Sequence, residues 1–282
     1  MSAQALPRLT EASIHLTRSV EATDERGHRI IVRVPAERAL TIYVDRTEVV
    51  TLMTLGAHPE WLVLGYLLNQ RLIDSVAEVE SITVDWETAA AGVRTRSGSM
   101  PHSRHDASRI VTTGCGQGSM FSDLLDQLEP LASNQPRVAQ ATLAAIVAAI
   151  RAHDTLYKTA GSVHACALFS GAALRVFIED VGRHNALDSI AGWRALNPAP
   201  SGADCPVLYT TGRLTSEMII KAAQMGVPVV VSRSGTTEMA IEVARQHQVC
   251  AIGRALNRRF ICYTHPWRIA FDTVSAQQGH DQ

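Results

Sequence analysis

Apolar residues fall into two kinds of pattern along this chain, and the character changes near its middle. In the first half short β-branched runs dominate: Ile30 to Val34, Ala39 to Val44 and Glu48 to Met53, with Asp45-Arg46 turning the second run into the third as a hairpin. Pro59 and Glu60 suit the first turn of a helix that continues through Trp61 to Leu68. Further strands are expected at Ser81 to Asp85 and Arg109 to Thr113. Ala89 to Asp106, rich in Gly, Ser, Arg and His, reads as an exposed loop. Ser119 to Leu128 reads as a capped helix closed by Pro130, Leu131 to Arg137 as a linker, and Ala139 to Tyr157 as a helix.

Beyond that point strands and helices alternate. Val163 to Phe169 and Leu174 to Ile178 form a hairpin around Ser170-Gly171, and a helix runs from Asn185 to Leu196. Strands follow at Val207 to Thr211, Pro228 to Ser232, Val249 to Gly253 and Phe260 to Tyr263. Helices at Ser216 to Met225, with Gly226 as its stop, and Thr237 to His247 separate them. Such alternation implies a parallel sheet with right-handed crossovers, whose ligands sit at the carboxyl ends of the strands. The fold expected is α/β, with a smaller α+β part in front. No repeat of 20–50 residues is evident. The divisions expected are a poorly ordered or extended segment 1–27, an α+β domain 28–137, an α/β domain 138–273 and a tail 274–282.

Composition narrows the function classes. With 282 residues and 46% hydrophobic content the chain can bury a substantial core. Lys+Arg 26 against Asp+Glu 27 argues against a general nucleic-acid binder, which would need a net basic face. Only Lys158 and Lys221 are lysines, a skew that genomic bias explains better than function. The longest apolar run, Ala141 to Ile150, is too short to cross a bilayer. Five irregularly spaced cysteines and no secretory leader fit a soluble cytoplasmic chain with reduced thiols.

Cys115 stands in Thr112-Thr-Gly-Cys-Gly-Gln-Gly-Ser119, between a strand and a helix start. Glycines free the backbone there, and unpaired amides favour a thiolate able to hold a persulfide. A buried structural cysteine fits the local sequence equally well. Cys166, Cys205, Cys250 and Cys262 lie in strand patterns and read as core or surface thiols. Arg254-Ala-Leu-Asn-Arg-Arg259, at a strand's carboxyl end, suits a pyrophosphate clamp or a solvated turn. The loops Gly212 to Ser216 and Ser232 to Thr237 would join it at one sheet edge as an anion site. Glu179 to Asp188 crowds carboxylates, Arg183, His184 and Asn185 at a strand–helix junction, as either catalytic groups or a capped helix with an internal ion pair. His164 reads as a core histidine rather than a metal ligand, and His102 and His105 as solvated. P-loop, Cys-x-x-Cys, His-Glu-x-x-His and nucleophile-elbow patterns are absent.

Taken in order, Gly114-Cys-Gly, Gly161-Ser-Val-His-Ala, Glu179 to Asp188, Thr211 to Met218, Val231 to Ser234 and Tyr263-Thr264 resemble the formate dehydrogenase accessory sulfurtransferase family. The resemblance spans roughly residues 28 to 270. It implies a larger C-terminal three-layer domain like the cytidine-deaminase fold, behind the smaller α+β domain. It also implies sulfur transfer from a cysteine desulfurase, through a persulfide on Cys115, to the bis(molybdopterin guanine dinucleotide) molybdenum cofactor of formate dehydrogenase. That cofactor is a bound substrate whose site falls on Arg254, Ala255, Leu256, Asn257, Arg258 and Arg259. A homodimer is expected, with cysteine desulfurase and formate dehydrogenase as partners and no resident metal, nucleic acid or membrane.

Two positions depart from the family pattern. Gly118 stands where many members carry a second cysteine, and Arg254 where an aromatic residue often leads. A non-catalytic chaperone that binds the molybdenum cofactor is the alternative. A zinc deaminase would need His-x-Glu and paired cysteines, and His164-Ala165-Cys166 supplies neither.

Overall fold

The computed structural model describes residues 6–98, 109–111, 128–133, 136–198 and 205–272. The N-terminal part is a six-stranded sheet in the order β1-β6-β7-β4-β5-β8. Its strands are β1 (Arg8–Leu9), β4 (Arg38–Val44), β5 (Thr47–Thr54), β6 (Val79–Asp85), β7 (Ala90–Thr95) and β8 (Arg109–Val111). Alternation sets the buried face: Leu40, Ile42, Val44, Val50, Leu52, Ile82, Val84, Ala91 and Val93 pack against helix α1 (Pro59–Asn69). β4 and β5 form the expected hairpin, and Pro59 opens α1 as expected. Strands β2 (Thr17–Thr23) and β3 (Arg29–Pro35) pair as a separate two-stranded ribbon. Segment 1–27 therefore contains strands, and Ala12 is anchored by a 2.7 Å bond from its amide to Glu60.

One difference from the sequence reading lies at β7. Ala90–Thr95 falls in the stretch read as a loop, yet it pairs with both β4 and β6. Its inward residues are the small Ala91, Val93 and Thr95, alternating with Gly92 and Arg94. Small residues and a glycine hid a real period of two.

After a short strand β9 (Val138–Ala139), which pairs with β16 (Ile269–Ala270), the C-terminal part is a second six-stranded sheet, ordered β11-β10-β12-β13-β14-β15. Its strands are β10 (His164–Ser170), β11 (Ala173–Asp180), β12 (Pro206–Thr210), β13 (Val229–Ser232), β14 (Cys250–Leu256) and β15 (Arg259–Cys262). β12, β13 and β14 are parallel, as the alternating pattern predicted. Both faces are covered. Helix α2 (Gln140–Ala152) lies over Ala167, Phe169, Val207, Val229, Val231 and Ile252. On the other face α4 (Arg183–Leu196), α5 (Ser216–Gln224) and α6 (Glu238–Gln246) cover Leu168, Ile178, Leu208, Val230 and Ala251. The result is the three-layer α/β arrangement expected, behind a smaller mixed part. The helix expected over 139–157 breaks at His153, and a short helix α3 (Leu156–Ala160) follows, capped by Thr155. Gly226 follows α5 at φ +67°, the left-handed stop its position predicted. Among the described residues no helix is long and apolar enough to cross a membrane.

The two parts meet where α1 crosses α4. A Cβ on Gly65 would lie 1.7 Å from the Asp188 carbonyl oxygen, and one on Gly192 would lie 2.0 Å from the Trp61 carbonyl oxygen. Only glycine lets the two backbones approach this closely. Below the crossing, the buried Asp188 accepts from Asn69 at 2.7 Å and from Lys221 at 2.9 Å.

Candidate functional site

The carboxyl ends of β11, β12, β13 and β14 share one edge of the C-terminal sheet, together with the start of the antiparallel β10. The loops there are laced together. Ser232 donates from Oγ to the Gly212 carbonyl at 2.6 Å, and Ser234 donates from Oγ to the Thr211 carbonyl at 2.8 Å. Thr237 donates its amide to Leu214, and Arg254 donates its amide to Ser234 at 2.8 Å. The three loops singled out in the sequence, 212–216, 232–237 and 254–259, are therefore neighbours.

Beside them lies a cavity of about 710 Å³, lined by α2, α3, His164, Thr211, Arg233, Ser234 and the β14 end. That volume lies within the roughly 300–1,000 Å³ range of small-molecule sites. Arg151, Lys158 and Arg233 give its wall three cations. Glu179 also lines it, but its carboxylate is engaged by the amides of Leu156 at 2.6 Å and Tyr157 at 3.1 Å. Of the stretch expected to hold the cofactor, Ala255, Leu256 and Asn257 form part of the wall. Arg254, Arg258 and Arg259 are exposed and are not among the wall residues. Asn257 is held by a hydrogen bond from Arg151, and both Arg254 (φ 51°) and Asn257 (φ 56°) adopt left-handed backbone.

Sequence reasoning missed Arg151 and Lys158 as wall residues. The available signals were Arg151 as the first charge after the Ala141 to Ile150 run, and Lys158 as one of only two lysines.

Within the Glu179 to Asp188 stretch, Asp180 and Asn185 are tied into the fold by buried hydrogen bonds. Asp180 accepts from Thr54 Oγ1 at 2.5 Å, Leu55 N at 3.0 Å, Gly182 N at 3.0 Å and Asn185 Nδ2 at 3.0 Å. Asn185 also donates to the Met53 carbonyl at 2.7 Å. These bonds tie the end of β5 to the C-terminal sheet. His184 is largely buried, 3.5 Å from Glu217, and burial drops its pKa to about 4, so the ring is neutral near pH 7. Burial alone would lower the Lys221 pKa, but Asp188 and Glu217 overcome it and hold the ammonium charged. His164, half-buried at the cavity wall, is lowered by burial and then by the charges of Arg183 and Arg213. Cys166 is fully buried, and burial pushes its thiol up to about 12, which leaves it inert as a nucleophile. Among the described residues no group of three or more His, Cys, Asp or Glu side chains could hold a metal.

Comparison with known proteins decides the family. The family model described as the FdhD/NarQ family matches residues 35–270. The chain belongs to the FdhD/NarQ family. Within it, the chain is 32% identical over 238 residues to the sulfur carrier protein FdhD of Bacillus subtilis (strain 168), covering 84% of this chain and 90% of that one. It is 30% identical over 274 residues to the sulfur carrier protein FdhD of Geobacillus kaustophilus (strain HTA426), covering 95% and 99%. The fold matches the crystal structure of a putative formate dehydrogenase accessory protein from Desulfotalea psychrophila. That match has TM-score 0.72 and 24% identity, over 90% of this chain and 98% of the other. Cys115, the residue the family resemblance marks for sulfur, lies outside the described residues, as does most of the helix expected from Ser119. β8, which leads into that stretch, ends with Val111 beside Leu52 of β5.

Proposed function

We propose that this protein is a sulfur carrier in formate dehydrogenase maturation, loading sulfur on Cys115 and delivering it to a molybdenum cofactor bound at the carboxyl-edge cavity. The relatives named sulfur carrier protein FdhD support the role, over nearly their whole length. The observation that carries the cofactor half is the cavity wall, where Arg151, Lys158 and Arg233 stand beside Ala255 to Asn257 at the ends of parallel strands. Three cations beside a strand-end loop cluster suit a phosphorylated ligand. The volume suits one nucleotide end of bis(molybdopterin guanine dinucleotide) rather than the whole molecule. Arg254, Arg258 and Arg259 lie on the exposed side of the same hairpin, where they can meet phosphate groups reaching out of the cavity.

For the sulfur half, the Cys115 thiolate attacks the terminal sulfur of a desulfurase persulfide. The donor's S–S bond breaks, and the desulfurase thiolate leaves. The resulting Cys115 persulfide would then give up its terminal sulfur to the cofactor as substrate: its S–S bond breaks, Cys115 leaves as the thiolate, and a reduced molybdenum centre would supply the two electrons that turn the sulfane sulfur into a sulfido ligand. The buried Cys166, Cys205 and Cys250 are poorly placed to compete for the donor. Separation of the two halves tests the proposal. Cys115→Ala is expected to abolish formate dehydrogenase activation in a complementation assay while the purified protein still binds the cofactor. Full activation by Cys115→Ala would refute the sulfur role, and unchanged cofactor affinity in an Arg151→Ala/Arg233→Ala double variant would refute the site.

A further inference from the structure

Under α2, on the face of the sheet away from the inter-domain knot, Cys205, Cys250 and Cys262 share one apolar layer. Cys250 opens β14 and Cys262 closes β15, the antiparallel pair at the sheet's edge. Ile252 is directly opposite Cys262, so Cys250 and Cys262 project from the same face, one diagonal apart. Their sulfurs are 3.7 Å apart and both thiols are free. Closing that gap to an S–S bond of about 2.05 Å asks for side-chain rotation and a small slide of β15. Among the described residues β15 is paired on one side only, which permits the slide.

The two thiols are not equivalent. Cys250 is fully buried, and its bond to Cys262 together with burial holds it protonated. The same bond lowers the Cys262 pKa, and Cys262 is only partly buried at the edge of the sheet. A buried cation completes the group. Arg268 is 1% exposed and spends Nε and Nη2 on the carbonyls of Gln248, Leu131 and Ala132, while its Nη1 has no hydrogen-bond partner. Its charge acts on Cys250 and Cys205, where it favours anionic sulfur during exchange.

We propose that Cys250 and Cys262 form a reversible disulfide, with Cys262 meeting the oxidant and Cys250 resolving it. With hydrogen peroxide, the Cys262 thiolate attacks one oxygen, the O–O bond breaks, and a sulfenic acid forms as hydroxide leaves. The Cys250 sulfur then attacks the Cys262 sulfur; the S–O bond breaks, and the hydroxyl departs with the Cys250 proton as water. Two thiols lose two electrons, and the peroxide becomes water. A dithiol reverses the bond by exchange. The bond closes the base of the β14–β15 hairpin, whose far end carries Ala255, Leu256 and the turn residue Asn257 at the cavity wall. Oxidation thus stiffens that wall whether or not a molybdenum cofactor is its ligand.

The test is differential alkylation and peptide mass mapping of the folded full-length protein, before and after brief exposure to hydrogen peroxide. Expected is a peptide cross-linked between Cys250 and Cys262, lighter by two hydrogens and restored by dithiothreitol. It should form equally in Cys115→Ala, with slower amide exchange across the turn. Cys262→Ser should leave Cys250 reduced. Cys250→Ala should let Cys262 accumulate as sulfinic acid; if that buried variant does not fold, the wild-type map and Cys262→Ser still decide. Sulfinic acid on Cys262 of the wild type, an unreacted Cys262, or a cross-link to any other cysteine would overturn the proposal.

Discussion

Two charged clusters lie within reach of one another and behave in opposite ways. At the inter-domain knot Asp180 accepts four hydrogen bonds, and the buried Lys221 ammonium bridges Asp188 and Glu217. At the cavity Arg151, Lys158 and Arg233 stand without an ion-pair partner among the described residues, and the one nearby carboxylate, Glu179, is taken up by backbone amides. The first cluster is complete and holds two sheets together. The second carries three cations with no counter-charge among the described residues, although Lys158 Nζ donates to the His153 carbonyl and Arg151 to Asn257. A crowd of charged residues is therefore not evidence of a site; what distinguishes one is the charge that the fold leaves unspent.

Substitutions sharpen this contrast. Lys221→Met should have the largest effect, because it leaves Asp188 buried without its counter-charge. A loss of about 3–5 kcal/mol is expected in urea unfolding. Gly65→Ala should follow, at about 3 kcal/mol, since its methyl would enter the Asp188 carbonyl oxygen and push α1 off α4. A loss under about 1 kcal/mol in either variant would break the claim that the knot is structural.

His184 supplies a pH test of the same region. Its folded pKa of about 4 lies below the usual histidine value of about 6.5, so the unfolded chain binds the proton more readily between those values. Stability should be intact above pH 6.5 and fall as pH drops toward 4, by a maximum of about 3 kcal/mol. Glu217, held below its usual value by Lys221 against the effect of burial, adds its own loss at the acid end of that range. His184→Gln should flatten the slope; an unchanged slope would show that the ring is not buried neutral.

The smallest effects on stability belong to the cavity. Arg233→Ala and Lys158→Ala should change unfolding free energy by no more than about 0.5 kcal/mol. Each should nevertheless weaken binding of a guanine-dinucleotide cofactor about tenfold, more at low salt than at high salt. Titration calorimetry at two salt concentrations reads both features.

Much of the frame was legible from periodicity. The parallel strands β12, β13 and β14, the Pro59 start of α1 and the Gly226 stop each follow from local patterns with a direct physical cause. Legibility failed where distant segments meet. β7 was missed because its inward residues are small, and the α2 break at His153 because the helical pattern carries on beyond it. The convergence of three loops at one edge was readable from the order of strands, whereas the share of Arg151 and Lys158 in the same cavity depends on how α2 packs across the sheet. The skewed basic composition gained meaning only in three dimensions. Of the two lysines, one lines the cavity and the other is buried between two carboxylates.

The most direct test of sulfur carriage is intact-protein and peptide mass spectrometry after incubation with a cysteine desulfurase and cysteine, comparing wild type with Cys115→Ala. A reducible gain of one sulfur atom, mapped to Cys115 and absent from the variant, is the predicted result. No gain, or a gain on Cys166, Cys205, Cys250 or Cys262 instead, would contradict it and leave a protein that only holds the cofactor.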